Sequence, residues 1–416
     1  MYDQMQLRPG GAHQSAPPSV PDSERVAIYT QDFANDPHRY YEWMRGRFGS
    51  LAPVWIEEGI PATLVLNYKT AVAILHDPVR FPADPRRWQA NLPRDRELNI
   101  VPMLGWRPNA LRNGGEVHRR LRAAANDALA DLDITALRPI VEQNAFNLIE
   151  TFPTDTPVDL IGEYFVPLVF SSVVNHIMGC PDSIGQQIAA ASKALFEAQV
   201  GQDEVDRMMN GALLELCNLK KAQPSEDLTT YLVRHHENLT DQELIHAQVT
   251  NCSAGIEITV NLAANALLVM LTDPRYDQYQ TPGQTPPINA AIDEILAKDP
   301  PLANLCVTYP ASPVPLDEDW LPADEPVIIS MAACCRDPEY GADKAALNSA
   351  HLAWGGPSQH ACPKQAQTAS YTIAHDAITQ LLDLRPDVQL TVAAQELEWR
   401  PGPFHRALAA FPVIAM

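Results

Sequence analysis

A chain of 416 residues, 46% of them hydrophobic, is long enough to bury a large core and enclose a ligand. A formal net charge of −21 argues against nucleic acid as a partner, because phosphate binding draws on Lys and Arg. The seven cysteines are odd in number, irregular in spacing and without a CxxC, which argues against a disulfide framework or a zinc site.

The first 25 or so residues are rich in Pro, Gly and Ser and are expected to form a disordered arm (1–25) ahead of a single domain (26–416). They show no basic region followed by an apolar one, and no apolar run of about 20 residues follows anywhere, so a cytoplasmic protein without a membrane span is expected. Trp55 to Leu66 reads as a hairpin turning at Gly-Ile-Pro, and Lys69 to His76 as a short helix. From Asp84 to Gly115 periodicity fails, and the segment is rich in Pro and Gly; a long loop in a compact domain is usually functional. Helical patterning then dominates, over Glu116–Leu129, Ile134–Glu150, Gln186–Val200 and Gln202–Leu219. Thr240 and Glu243 form a capping box that opens a helix running to Leu271, which Asp273-Pro274 ends. Residues 326–333 read as a buried strand, and 388–400 alternate weakly. The fold class is mainly α with a minor β part.

Two places along this chain carry unusual chemistry. The centre of the long helix, Ala254-Gly255-Ile256-Glu257-Ile258-Thr259, sets a helix-weakening Gly and a carboxylate among apolar residues. Gly255 permits a close approach there, either of another helix or of a ligand. The second place is His360-Ala361-Cys362-Pro363, between the flexible Trp354-Gly355-Gly356-Pro357-Ser358 and a helical run from Gln365 to Leu382. A thiolate at a helix N-terminus is stabilised by the dipole and the free N–H groups.

HLAWGGPSQHACP, residues 351–363, resembles the cysteine loop of the cytochrome P-450 family. Ala254 to Thr259 is similar to that family's distal-helix motif. His118 and Arg122 look like its His-x-x-x-Arg pair, and Arg336-Asp337-Pro338 and the tail Trp399 to Arg406 look like bacterial members. The resemblance runs in order from about residue 28 to the C-terminus and is of the soluble bacterial type. It implies a triangular helical domain with small sheets, and haem b as cofactor with Cys362 as the iron ligand, a thiolate that favours O–O cleavage. It implies propionate contacts from His118 and Arg122, and a haem environment that also includes His360, Trp354, Ala254 and Gly255. Glu257, Ile258 and Thr259 are the implied catalytic positions. A substrate cavity is implied near Trp88, Trp106, Ile258, Gly402 and Pro403, although the two tryptophans equally suit a core. Dioxygen is the implied co-substrate. Electrons would come from NAD(P)H through a ferredoxin reductase and a small acidic ferredoxin, docking where Arg119, Arg120 and Lys364 offer positive charge.

The chain also departs from the family. Ala297 stands where the Glu-x-x-Arg pair has its Arg, leaving Glu294 to find another donor or the region to be rebuilt; Lys298 lies one residue beyond. The cysteine loop carries one extra residue before Cys362, with Ser358 and Lys364 at positions where Gly is usual. Thr308 marks the place of a second propionate-binding Arg. Ile258 replaces the Thr that follows the acid and cannot hydrogen-bond, so proton delivery falls to Glu257, Thr259, water or substrate. His235-His236 near Glu237 reads as a solvated loop rather than a metal site. The implied reaction is hydroxylation or epoxidation of a specialised metabolite. Oxidative coupling of aromatic substrates such as phenols, indoles or cyclic dipeptides is the alternative, and a haem-free binding scaffold is a third.

Overall fold

Thr240 starts the longest helix as its sequence requires: its side chain accepts from the Glu243 N–H, and the Glu243 carboxylate accepts from the Thr240 N–H. The helix runs Asp241–Thr272 in the computed structural model, which describes residues 21–153, 155–196, 202–276, 287–316, 319–340 and 350–414. By length and composition alone it could cross a bilayer. It does not lie at a surface, however; its second half is buried on nearly all sides, from Thr259 to Leu267. The helices Ile288–Lys298 and Lys364–Leu384 pack against it.

Elements arise broadly where the periodicity puts them. The helix Gly115–Ala130 covers the expected Glu116–Leu129, and Gln202–Ala222 extends Gln202–Leu219. Asp182–Phe196 covers the described part of the expected 186–200 helix, and residues 197–201 lie outside the described residues. Ahead of Asp182, 160–177 contains two wide-turned helical stretches, Ile161–Phe165 and Ser171–Ile177. Residues 1–20 of the expected arm also lie outside the described residues. Its last residue, Arg25, is pinned, pairing with Glu325 at 3.1 Å and donating to the Ala62 carbonyl at 3.2 Å.

The β part is small. One mixed sheet orders the strands Val26–Ala27, Leu51–Glu57, Ile60–Val65, Val327–Ser330 and Asn304–Thr308. The hairpin turns at Glu58-Gly59 rather than at Gly-Ile-Pro: Gly59 takes φ +70°, and Pro61 sits within the strand opposite Trp55. The strand expected over 326–333 stops at Ser330, whose hydroxyl caps the short helix Met331–Cys335. A second sheet pairs Pro412–Ile414 with both Val158–Asp159 and Gln389–Leu390, tying the C-terminal segment to the helical half.

Glu294 has found other donors. Arg275 reaches it at 2.8 Å, Lys298 at 3.1 Å and the Tyr276 hydroxyl at 3.3 Å. Lys298 serves because it lies four residues on, on the same helix face as Glu294, whatever its register against the family's Arg. Ala297 is fully buried.

Candidate active site

The cysteine loop is a chain of tight turns. The Gly355 N–H donates to Leu352 O at 2.8 Å, Ser358 N–H to Gly355 O at 3.3 Å, and Cys362 N–H back to Trp354 O at 2.8 Å. Gly355 and Gly356 take φ of +88° and +53°, which non-glycine residues adopt at a cost. A Cβ on Gly355 would also come within 3.1 Å of the Ala361 Cα. The helix Lys364–Leu384 begins two residues after Cys362, with Pro363 as its cap. The loop thus aims Cys362 from just outside a helix N-terminus. Burial pushes its thiol up to about 11, against the pull of Arg122 and Lys364, so a metal that binds it must displace the proton.

Beside the thiol lies a cluster of cationic and imidazole groups. The Ala110 carbonyl accepts from the Nδ1 of both His118, at 2.7 Å, and His360, at 3.2 Å, and the two rings sit 4.1 Å apart. Burial holds both imidazoles below their usual range, His360 down to about 3, with each other and Arg122 adding to the effect on His360. Arg122 donates to His360 O at 3.3 Å, and its Nε is buried without a partner. Arg112, 9% exposed, joins them; sequence reasoning missed it inside an aperiodic loop. No carboxylate among the described residues acts on Arg112 or Arg122. Thr308 has its Oγ1 buried without a partner, and Cys306 of the same strand has its Sγ 3.5 Å from where a Gly355 Cβ would be.

The long helix packs on the helix that follows Cys362. Ser253 and Ala254 are exposed midway along a helix whose remainder is largely buried, so they face space rather than protein. Gly255 faces the other way, where an added Cβ would meet the Val173 side chain at 3.1 Å; it is a packing glycine. Glu257 is held by Arg400, and by Asn261 Nδ2 at 3.0 Å. Thr259 turns away from its expected catalytic place: it is 1% exposed and shares a hydrogen bond of 2.7 Å with Ser370. One residue along a helix rotates a side chain by about 100°. Ile258 therefore faces a different side and is only partly buried.

Other expected residues divide. Trp88 is a core residue, 4% exposed and packed on Tyr309 with ring centroids 5.5 Å apart, because the short helix Arg86–Ala90 turns it inward. Trp106 stays 38% exposed, its indole N–H on Asn113 and its ring under Arg86. Gly402 crowds His405, where a Cβ would lie 2.6 Å from Cε1, and the Pro403 carbonyl accepts from Asn304 at 2.8 Å. The expected positive docking face is weaker than its sequence: Arg119 pairs with Glu116 and Arg120 with Glu243, leaving Lys364 on Gln367. His235 meets Asp127 at 3.2 Å.

The donor set fits an iron porphyrin. Cys362 stands on a glycine loop ahead of a helix N-terminus, and Arg112 and Arg122 turn inward with no carboxylate acting on them among the described residues, which suits the negative charge that two propionates carry.

No protein-family model matches the chain. The cytochrome P450 monooxygenase PikC of Streptomyces venezuelae is 30% identical over 402 residues, covering 92% of each chain. The vitamin D(3) 25-hydroxylase of Pseudonocardia autotrophica is 27% identical, over 94% of this chain and 96% of its own. CYP154C4 from Streptomyces sp. ATCC 11861 superposes with a TM-score of 0.81 at 26% identity, over 94% of this chain and 98% of its own. The tirandamycin C-bound P450 monooxygenase TamI gives 0.76 at 25%, over 94% and 100%. With a relative at this identity along nearly its whole length, and with that family's fold, the chain belongs to the cytochrome P450 family and is an oxidoreductase of the monooxygenase type.

Proposed function

We propose that the enzyme hydroxylates or epoxidises one dedicated small molecule of specialised metabolism, and that this substrate completes the proton path at the centre of the long helix. The observation that carries the reading is the pair Ile258 and Thr259. An isoleucine occupies the usual place of the hydroxyl, and the next hydroxyl is turned into the core against Ser370. Haem held between the long helix and Cys362 would supply the oxidation of substrate by dioxygen and two electrons. Cys362 would ligate it. His118, His360 and Arg122 would meet a propionate, while Trp354 and Ala254 would flank the ring. Glu257 is the carboxylate nearest the helix centre. Its pairing with Arg400 and Asn261 orients it for taking up a proton and passing it on. NAD(P)H, a ferredoxin reductase and a ferredoxin complete the electron supply. Similarity to a protein named as a hydroxylase and to a monooxygenase crystallised with tirandamycin C supports hydroxylation of a natural product. The haem-free alternative would leave buried guanidiniums permanently uncompensated, which is costly.

With surrogate redox partners and generic small substrates, the wild type is expected to consume NAD(P)H largely to peroxide. Ile258→Thr is expected to raise product per NAD(P)H several-fold. Tight coupling of the wild type on arbitrary substrates would show that another group already fills the role. Glu257→Gln keeps the shape and the Asn261 contact but removes the titrating oxygen. Product formation should fall roughly a hundredfold, with the reduced carbon monoxide spectrum unchanged. A rate near wild type would remove Glu257 from the path.

A further inference from the structure

Arg112 lies in the loop that precedes the helix of His118 and Arg122, and its setting is fixed by the sequence around it. The Asn109 side chain accepts from the N–H groups of Leu111 and Arg112 at 3.1 and 3.0 Å, forming a turn that drives Arg112 inward. The guanidinium has five donors, and one hydrogen bond of 2.5 Å runs from it to the Met103 carbonyl. It is 9% exposed and no carboxylate among the described residues acts on it, an arrangement that strongly disfavours a charge unless an anion arrives. Its charge is felt by Cys306, Tyr309 and His360, so it looks into the space between the strand Asn304–Thr308 and the cysteine loop. Two residues before it, the Ala110 carbonyl joins His118 to His360. The strand itself brings no cation to this edge: Leu305, Cys306, Val307 and Thr308 are its last residues.

We infer that Arg112 anchors the second propionate carboxylate of the porphyrin from the loop, in place of a cation on the strand beside the cysteine loop. The inference rests on the haem reading above. His118, His360 and Arg122 then serve one carboxylate and Arg112 the other. A fork of N–H groups on a carboxylate is the strong form of such a contact.

The test compares two porphyrins in the full-length chain. Wild type and Arg112→Gln are loaded with hemin, or with hemin dimethyl ester in which both carboxylates are capped. Loss to excess apomyoglobin is then followed in the Soret band. Arg112→Gln is expected to lose hemin roughly tenfold to a hundredfold faster, the scale of a hydrogen bond to a charged group. Its loss of the dimethyl ester should match that of wild type. Arg112→Lys should fall between, since it keeps the charge without the fork. Stripped of porphyrin, Arg112→Gln should melt at the same or a higher temperature than stripped wild type, because an uncompensated buried charge has gone. Equal acceleration for both porphyrins would make Arg112 a structural residue and overturn the inference. Unchanged hemin loss would overturn it as well. A wild type that takes up neither porphyrin would fail at the first step and overturn the haem reading, and the inference with it.

Discussion

Cys362→Ala is expected to abolish the thiolate-type carbon monoxide spectrum and most haem retention, while Cys334→Ala, Cys335→Ala and Cys306→Ala retain both. Cys306 is the informative control. It lies close to the same loop, its Sγ 3.5 Å from the position of a Gly355 Cβ, so proximity alone does not separate it from Cys362. Two physical differences do. Cys306 lies in the middle of a strand, where no helix N-terminus stabilises a thiolate, and burial pushes its thiol up to about 12. Cys362 precedes the helix Lys364–Leu384 and has Arg122 and Lys364 acting in favour of its ionised form. Cys334 and Cys335 are fully buried in the core under the sheet, where truncation costs packing and one hydrogen bond each, from Cys334 Sγ to Val65 O at 3.4 Å and from Leu352 N–H to Cys335 Sγ at 3.2 Å. A normal spectrum from Cys362→Ala, or its loss in Cys306→Ala, would require reassigning the ligand.

Ala297→Arg, which would restore the family's Glu-x-x-Arg spelling, is expected to destabilise the protein by at least about 3 kcal/mol and to weaken haem retention. Ala297 is fully buried, so the new side chain must enter packed core. Its intended partner is engaged, since Glu294 already takes Arg275, Lys298 and the Tyr276 hydroxyl. Arg275 and Lys298 hold the Glu294 carboxyl below its ordinary range against the effect of burial, and a further guanidinium would have to compete with them for its oxygens. Urea titration and the melting temperature of both variants measure the loss. A rise in both stability and haem retention would show that space for the Arg persists.

Much of the fold was legible because it depends on local rules. Thr240 and Glu243 mark a cap wherever they stand three apart before an apolar run, and the glycines before Cys362 mark a turn that other residues enter only at a cost. What escaped the sequence depends on residues far apart in the chain. Arg275 meets Glu294 across a connection whose middle, 277–286, lies outside the described residues. Arg400 meets Glu257 over a separation of 143 residues. Arg112 was unreadable for another reason: nothing in an aperiodic loop says which of its cations turns inward. Thr259 was closer to legible. The spacing already placed it about 100° from Ile258, and a catalytic hydroxyl and a core hydroxyl cannot share one helix face.

The ion pair between Glu257 and Arg400, together with the strand Pro412–Ile414 on Val158–Asp159, bears on how the protein is made. During synthesis the long helix and the cysteine helix both emerge before the segment that clamps the first of them. Until residues 399–414 leave the ribosome, Glu257 has no arginine, and the strand Val158–Asp159 lacks its neighbour. Contacts of such sequence separation form late and slowly. The nascent chain therefore holds Glu257 and the strand Val158–Asp159 without these partners until residues 399–414 follow.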